Sequence, residues 1–73
     1  MESINFAKVK FIEDGIEDTI PIQNIKQFKD NPPTDKNDFN KNAEYDAFYR
    51  DPNNPTEDGY YKARIKSLIS MIS

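Results

Sequence analysis

"EDGYYKARIKSLI" (residues 57–69) decides the fold. An acidic turn ends at Gly59, and apolar and basic residues then alternate one by one. Tyr61, Ala63 and Ile65 fall on one face; Tyr60, Lys62, Arg64 and Lys66 fall on the other. A period of two is the signature of a half-buried strand. The phase changes at Ser67, before Leu68 and Ile69, which marks a bulge or the strand's end.

The same pattern recurs outward from this stretch. In "YDAFYR" (45–50), Tyr45, Ala47 and Tyr49 share a face opposite Asp46, Phe48 and Arg50. With the turn over residues 51–58, rich in Pro and Asp, this makes a hairpin. Near the start, Ala7, Val9 and Phe11 alternate with Lys8 and Lys10, with Phe6 out of step. Asp14-Gly15 is a strong turn dipeptide. Ile20, Ile22 and Ile25 then resume the apolar pattern, and Pro21 removes one ladder donor, so that strand is short or at an edge. A single helical turn is expected around residues 24–28. Residues 29–43 are a polar connecting loop, in which Pro32-Pro33 forbids helix. Phe28 and Phe39 are expected to pin it under the sheet. The end of the chain, with Leu68, Ile69, Met71 and Ile72, reads as a last strand, a helical turn or a segment buried against a partner. Its apolar character suggests a fragment of a larger protein.

Composition narrows the chemistry. The chain has 73 residues, one domain over 1–73, and a domain of this size buries only about 60% of its unfolded surface. It has no Cys and no His, so thiol chemistry, disulfides and Cys/His zinc sites are excluded, and the usual neutral-pH general base is missing. Its serines, Ser3, Ser67, Ser70 and Ser73, lie near the two ends, outside any nucleophile motif. No Gly-rich phosphate loop is present, and "EDGIED" lacks calcium-loop spacing. The expectation is a non-enzyme without metal or cofactor. No apolar run approaches the roughly 20 residues that span a bilayer, and no signal peptide is visible, so no membrane association and an intracellular location are expected. The net charge of −3 suits a basic peptide or protein tail and disfavours direct nucleic-acid binding, unless a local strip such as Lys62, Arg64 and Lys66 overrides it.

Four to five short strands in so short a chain point to an all-β small antiparallel barrel. The hairpin motifs resemble Tudor-family domains, a Src-homology-3-like barrel fold. Tyr45, Ala47, Tyr49, Asp58, Gly59, Tyr60, Tyr61, Ala63 and Ile65 match the family's opening hairpin; Val9, Phe11, Gly15, Glu17, Ile20, Ile22 and Ile25 match a later one. Their order is reversed here. Circular permutation is the favoured explanation, with hairpin swapping between chains and a fragment straddling two repeats as alternatives. The resemblance implies a chromatin or RNA-regulatory adaptor, nuclear rather than cytoplasmic, that binds a basic peptide or protein tail, either unmodified or methylated on Lys or Arg. It places Phe11, Tyr49 and Tyr61 as walls of an aromatic cage and Asp14 as its carboxylate. The cage is incomplete: Asp14 stands where relatives carry a further tyrosine, and Ile16 where an Asn often follows the glycine. Plain core packing explains the same rings. Tyr60, Lys62 and Arg64 form a candidate interface on the outer face. The alternative function is a scaffold or homo-oligomeric self-association domain with no methyl-reading activity.

Overall fold

A computed structural model of the chain describes residues 3–50, 53 and 59–70. The acidic turn ending at Asp58 and the residues Met71 and Ile72 lie outside the described residues. Four strands, β1 (Ile4–Phe11), β2 (Glu17–Pro21), β3 (Tyr45–Tyr49) and β4 (Gly59–Ser70), form one antiparallel sheet in the order β2-β1-β4-β3. Between β2 and β3 lie two 3-10 turns, Ile22–Asn24 and Lys26–Phe28, in place of the single turn expected over 24–28. No helix is long and apolar enough to cross a membrane.

Each hairpin follows from local chemistry. At the first, Gly15 has φ +73°, a region a side chain enters only with strain. Its N–H donates to the Phe11 carbonyl at 2.9 Å, and the Phe11 N–H donates to the Ile16 carbonyl at 2.8 Å. The Asp14 carboxylate accepts the Ile16 N–H at 3.2 Å, a local bond that favours the turn. At the second hairpin, Tyr49 pairs with Gly59 and Tyr45 with Ala63. The hairpins join through β1 and β4, where Val9 pairs with Ile65 and Phe11 with Ala63. From the β3 edge the order is β3-β4-β1-β2. A simple meander would have that order if the second hairpin preceded the first.

The alternation read from the sequence becomes the core. Ala7, Val9, Phe11, Ala47, Ala63 and Ile65 are buried on one face of the sheet, and Ile20, Ile22, Ile25, Phe28 and Leu68 complete the cluster. The phase change in β4 is a bulge within a continuing strand. Lys8 pairs with Ser67 while Val9 pairs with Ile65, so β4 carries an extra residue there. Lys66 and Ser67 are both exposed, and Leu68 returns to the core. A second shift between Ile4 and Phe6 puts the extra residue on β1.

The expected barrel is realised only as an open sheet, with β2 and β3 at its edges. The reason lies at Pro21, the last residue of β2. It has no N–H to extend the ladder. The chain then spends its backbone bonds locally, Ile25 N–H to the Ile22 carbonyl and Phe28 N–H to the Ile25 carbonyl. One isolated bridge, Ile25 to Ala47, ties this segment to β3.

The polar loop is held by its own side chains. The Asp38 carboxylate accepts from the Thr34 N–H and hydroxyl, Asp35 from the Asn37 N–H, and Asn40 from the Asn42 N–H. Such side-chain turns explain how a stretch with almost no apolar residues follows a defined path. Phe28 and Pro33 are buried and Phe39 packs against the core, so the expected anchors are in place. The Asn40 N–H donates to the Tyr45 hydroxyl at 2.9 Å, and the Tyr45 ring lies 5.4 Å from Phe28.

Candidate functional site

Phe11 on β1, Tyr61 on β4 and Tyr49 on β3 end the buried face at one edge of the core. The Phe11 and Tyr49 centroids are 5.3 Å apart at 69°, and those of Tyr49 and Tyr61 are 6.2 Å apart at 82°. β1 and β3 are not neighbours, since β4 lies between them. Phe11 is in register with Tyr45 through Ala63, four residues along β3 from Tyr49, so in a flat sheet the Phe11 and Tyr49 backbones would be about 16 Å apart. Ring contact at 5.3 Å across that gap requires a sheet curled toward its core face. The intervening positions permit it: Ala47 and Ala63 are fully buried and small, so the larger rings close over them.

The three rings are unequal. Phe11 is 4% exposed and forms a floor, whereas Tyr49 and Tyr61 are half-buried and form a rim. Phe11 and Tyr49 touch edge to face, so no ligand fits between them. The half-buried aromatic surface of this corner belongs to Tyr49 and Tyr61. Asp14, the fourth residue singled out in the sequence, sits in the turn after Phe11 and is exposed. That turn also exposes Glu13, together with Ile12 and Ile16, each 45% exposed, and β2 opens with the exposed Glu17 and Asp18.

The outer-face trio Tyr60, Lys62 and Arg64 separates into different environments. Tyr60 is 41% exposed and packs edge-on to Phe48 at 5.6 Å. The ammonium groups of Lys26 and Lys29 lie 6.0 and 5.5 Å from its ring centroid. The Tyr60 hydroxyl is the main cause that raises the Lys29 pKa. Lys62 instead reaches Asp46, with Nζ to Oδ1 2.8 Å. The Gln27 amide clasps Asp46 as well: its Nε2 donates to Oδ2 at 3.0 Å, and its Oε1 accepts the Asp46 N–H at 3.0 Å. Hydrogen bonds from Lys62 first, and from Gln27 second, hold the Asp46 carboxyl below its ordinary value, while Asp46 raises Lys62. Arg64 faces a different set of side chains, beside Lys10 and Lys66.

Sequence reasoning missed Phe48, Lys26, Lys29 and Gln27 as partners of this face. The alternation places Phe48 outward, but the two lysines and Gln27 arrive through the 3-10 turns, whose path has no periodic signal. Among the described residues no group of three carboxylates is placed to hold a metal ion. No protein-family model, curated protein or solved structure matches the chain.

Proposed function

We propose that the chain is a non-catalytic, Tudor-like binding module that takes a basic peptide, methylated on lysine or arginine, against the rim of Tyr49 and Tyr61. The observation that carries this reading is the corner of three rings set edge to face over two buried alanines. A methylated ammonium keeps its charge and sheds hydrogen-bond donors, so it gains from aromatic faces what it loses in hydration. The neighbouring turn and the start of β2 supply long-range attraction through Glu13, Asp14 and Asp18, and apolar contact through Ile12 and Ile16. Asp14 is the carboxylate assigned to the bound cation.

Small-barrel architecture is part of the proposal. The curl inferred from the Phe11–Tyr49 contact supports it, as does the Ile25–Ala47 bridge, which carries the chain after β2 back to β3. The sheet order, that of a meander with its hairpins exchanged in sequence, supports circular permutation. A nuclear adaptor role belongs to the same reading.

Calorimetric titration with matched peptides tests it. A trimethyl-lysine peptide should bind roughly two- to thirtyfold more tightly than its unmodified twin, the range expected for cation–π contact from exposed to desolvated sites. Tyr61→Leu and Tyr49→Leu should erase that preference, and Tyr60→Leu should leave it intact. Equal affinity for both peptides would refute methyl recognition. Self-association is the second reading, favoured by the exposed Tyr60 beside Phe48. Sedimentation across a wide concentration range decides it, and a constant monomer mass rejects it.

A further inference from the structure

A groove of about 490 Å³ lies over the β1–β4 junction, lined by Lys10, Ile12, Arg64 and Lys66, by Lys41 from the connecting loop, and by Phe11 and Ile65. Four of its seven lining residues are cationic and none is acidic, on a chain whose net charge is −3. Lys10 is the direct cross-strand partner of Arg64 on one side and of Glu17 on the other, and Glu17 forms its ion pair with Lys8 instead. Like charges placed opposite one another destabilise a sheet. Elsewhere the fold neutralises such lysines: Lys8 lies 3.6 Å from Glu17, and Lys62 pairs with Asp46. Among the described residues none of the four groove cations has an ion-pair partner. Lys66 adds a third charge at the β4 bulge, two residues from Arg64. Packing does not require this arrangement, since all four cationic side chains belong to exposed residues. Natural chains tend to break such local rules at functional sites.

We propose that this groove is an anion-binding site for an acidic peptide segment, adjoining the aromatic rim and sharing Phe11 and Ile12 with it. Its volume lies within the range of about 300–1,000 Å³ typical of ligand sites. A run of Asp or Glu side chains supplies the missing counter-charges, and Ile12 offers apolar contact beside them. A peptide fits better than single-stranded nucleic acid for two reasons. Nucleic-acid grooves pair cations with exposed aromatic stacking surfaces, and the one aromatic here, Phe11, is 4% exposed. A long polyanion would also meet the acidic turn of the β1–β2 hairpin, which a short peptide avoids.

Fluorescence anisotropy of a labelled oligoglutamate peptide, titrated with the full chain at low salt, tests the site. Oligoglutamine and oligothymidylate of equal length serve as comparisons. Oligoglutamate should bind and oligoglutamine should not, with affinity falling as ionic strength rises to about 0.15 M, where the screening length is about 8 Å. Arg64→Gln with Lys66→Gln should weaken binding about five- to tenfold, as expected for the loss of two exposed charge pairs. The same double variant should melt no lower than the parent, because it relieves repulsion. Failure of oligoglutamate to bind, or binding untouched by the double variant, overturns the proposal. Tighter binding of oligothymidylate would make the groove a nucleic-acid site instead. A salt-sensitive dimer in sedimentation, broken by Arg64→Gln with Lys66→Gln, would show that the occupant is the acidic turn of a second copy.

Discussion

Replacing Ile25 with alanine probes how the segment after β2 is held to the rest of the fold. Ile25 is fully buried, one of the three largest side chains so enclosed, and its backbone makes the one bridge to Ala47. It also stands between the two 3-10 turns, donating to Ile22 and accepting from Phe28. Truncation keeps those backbone bonds and removes only the buried hydrocarbon. Large-to-small changes of this kind cost about 2–5 kcal/mol, and Ile→Val about 0.5–1.5 kcal/mol. A chain of this length has a total stability of about 4–11 kcal/mol. Ile25→Ala should therefore remove a large share of it, and Ile25→Val a small one. Urea unfolding followed by tyrosine fluorescence and far-ultraviolet circular dichroism reads both, and each kcal/mol should lower the melting temperature by about 4–8 °C. The unfolding slope should stay unchanged, since the surface exposed on unfolding is nearly the same. A loss below about 0.5 kcal/mol, the range of surface substitutions, would refute the claim that this segment packs against the core.

Gly15→Ala should destabilise by about 1–2 kcal/mol through backbone strain alone, because φ is +73° and the nearest atom to a new Cβ, Lys10 Cε, is 3.9 Å away; a neutral result in urea unfolding would contradict the turn geometry. Asp46 makes stability depend on acid. Its folded pKa lies below the unfolded value of about 3.9, so its contribution is present above that pH and disappears as pH falls through the folded value. The gap in urea midpoint between the parent and Asp46→Asn should therefore close in strong acid, and a gap that persisted there would refute the assignment. Lys62 works in the opposite sense: its raised pKa makes its contribution complete below about 10.4 and lost as pH climbs through the folded value. Lys62→Met should abolish any alkaline step in the unfolding midpoint that the Asp46–Lys62 pair causes.

Much of the sheet is legible in the chain because its strands obey one local rule. Ala7, Val9 and Phe11, and then Tyr61, Ala63 and Ile65, alternate with charges, and burial follows them residue by residue. Pro21 and Gly15 announce their own structural consequences. The phase break at Ser67 is visible too, although only pairing with β1 shows that the strand continues through it. What the sequence hides depends on sheet curvature and on long-range approach. Phe11 and Tyr49 meet across an intervening strand, a contact that alternation cannot foresee. Gln27 reaches Asp46 and Lys41 reaches the β1–β4 groove through segments without a repeating pattern. The open sheet has the same origin: after Pro21 the backbone turns inward through local bonds, and a single bridge replaces the ladder that a closed barrel would need.

The most direct test of the proposed function follows the ring protons of Tyr49, Tyr61 and Phe11 by NMR while a trimethyl-lysine peptide is added. The Tyr49 and Tyr61 signals should move progressively and Phe11 less, because the two tyrosines form the rim and Phe11 the floor. The unmodified peptide should move them less at equal concentration. Tyr49 and Tyr61 signals that stay fixed at about 1 mM peptide, where even a weak complex of about −4 kcal/mol is half formed, would contradict a ligand site at this rim.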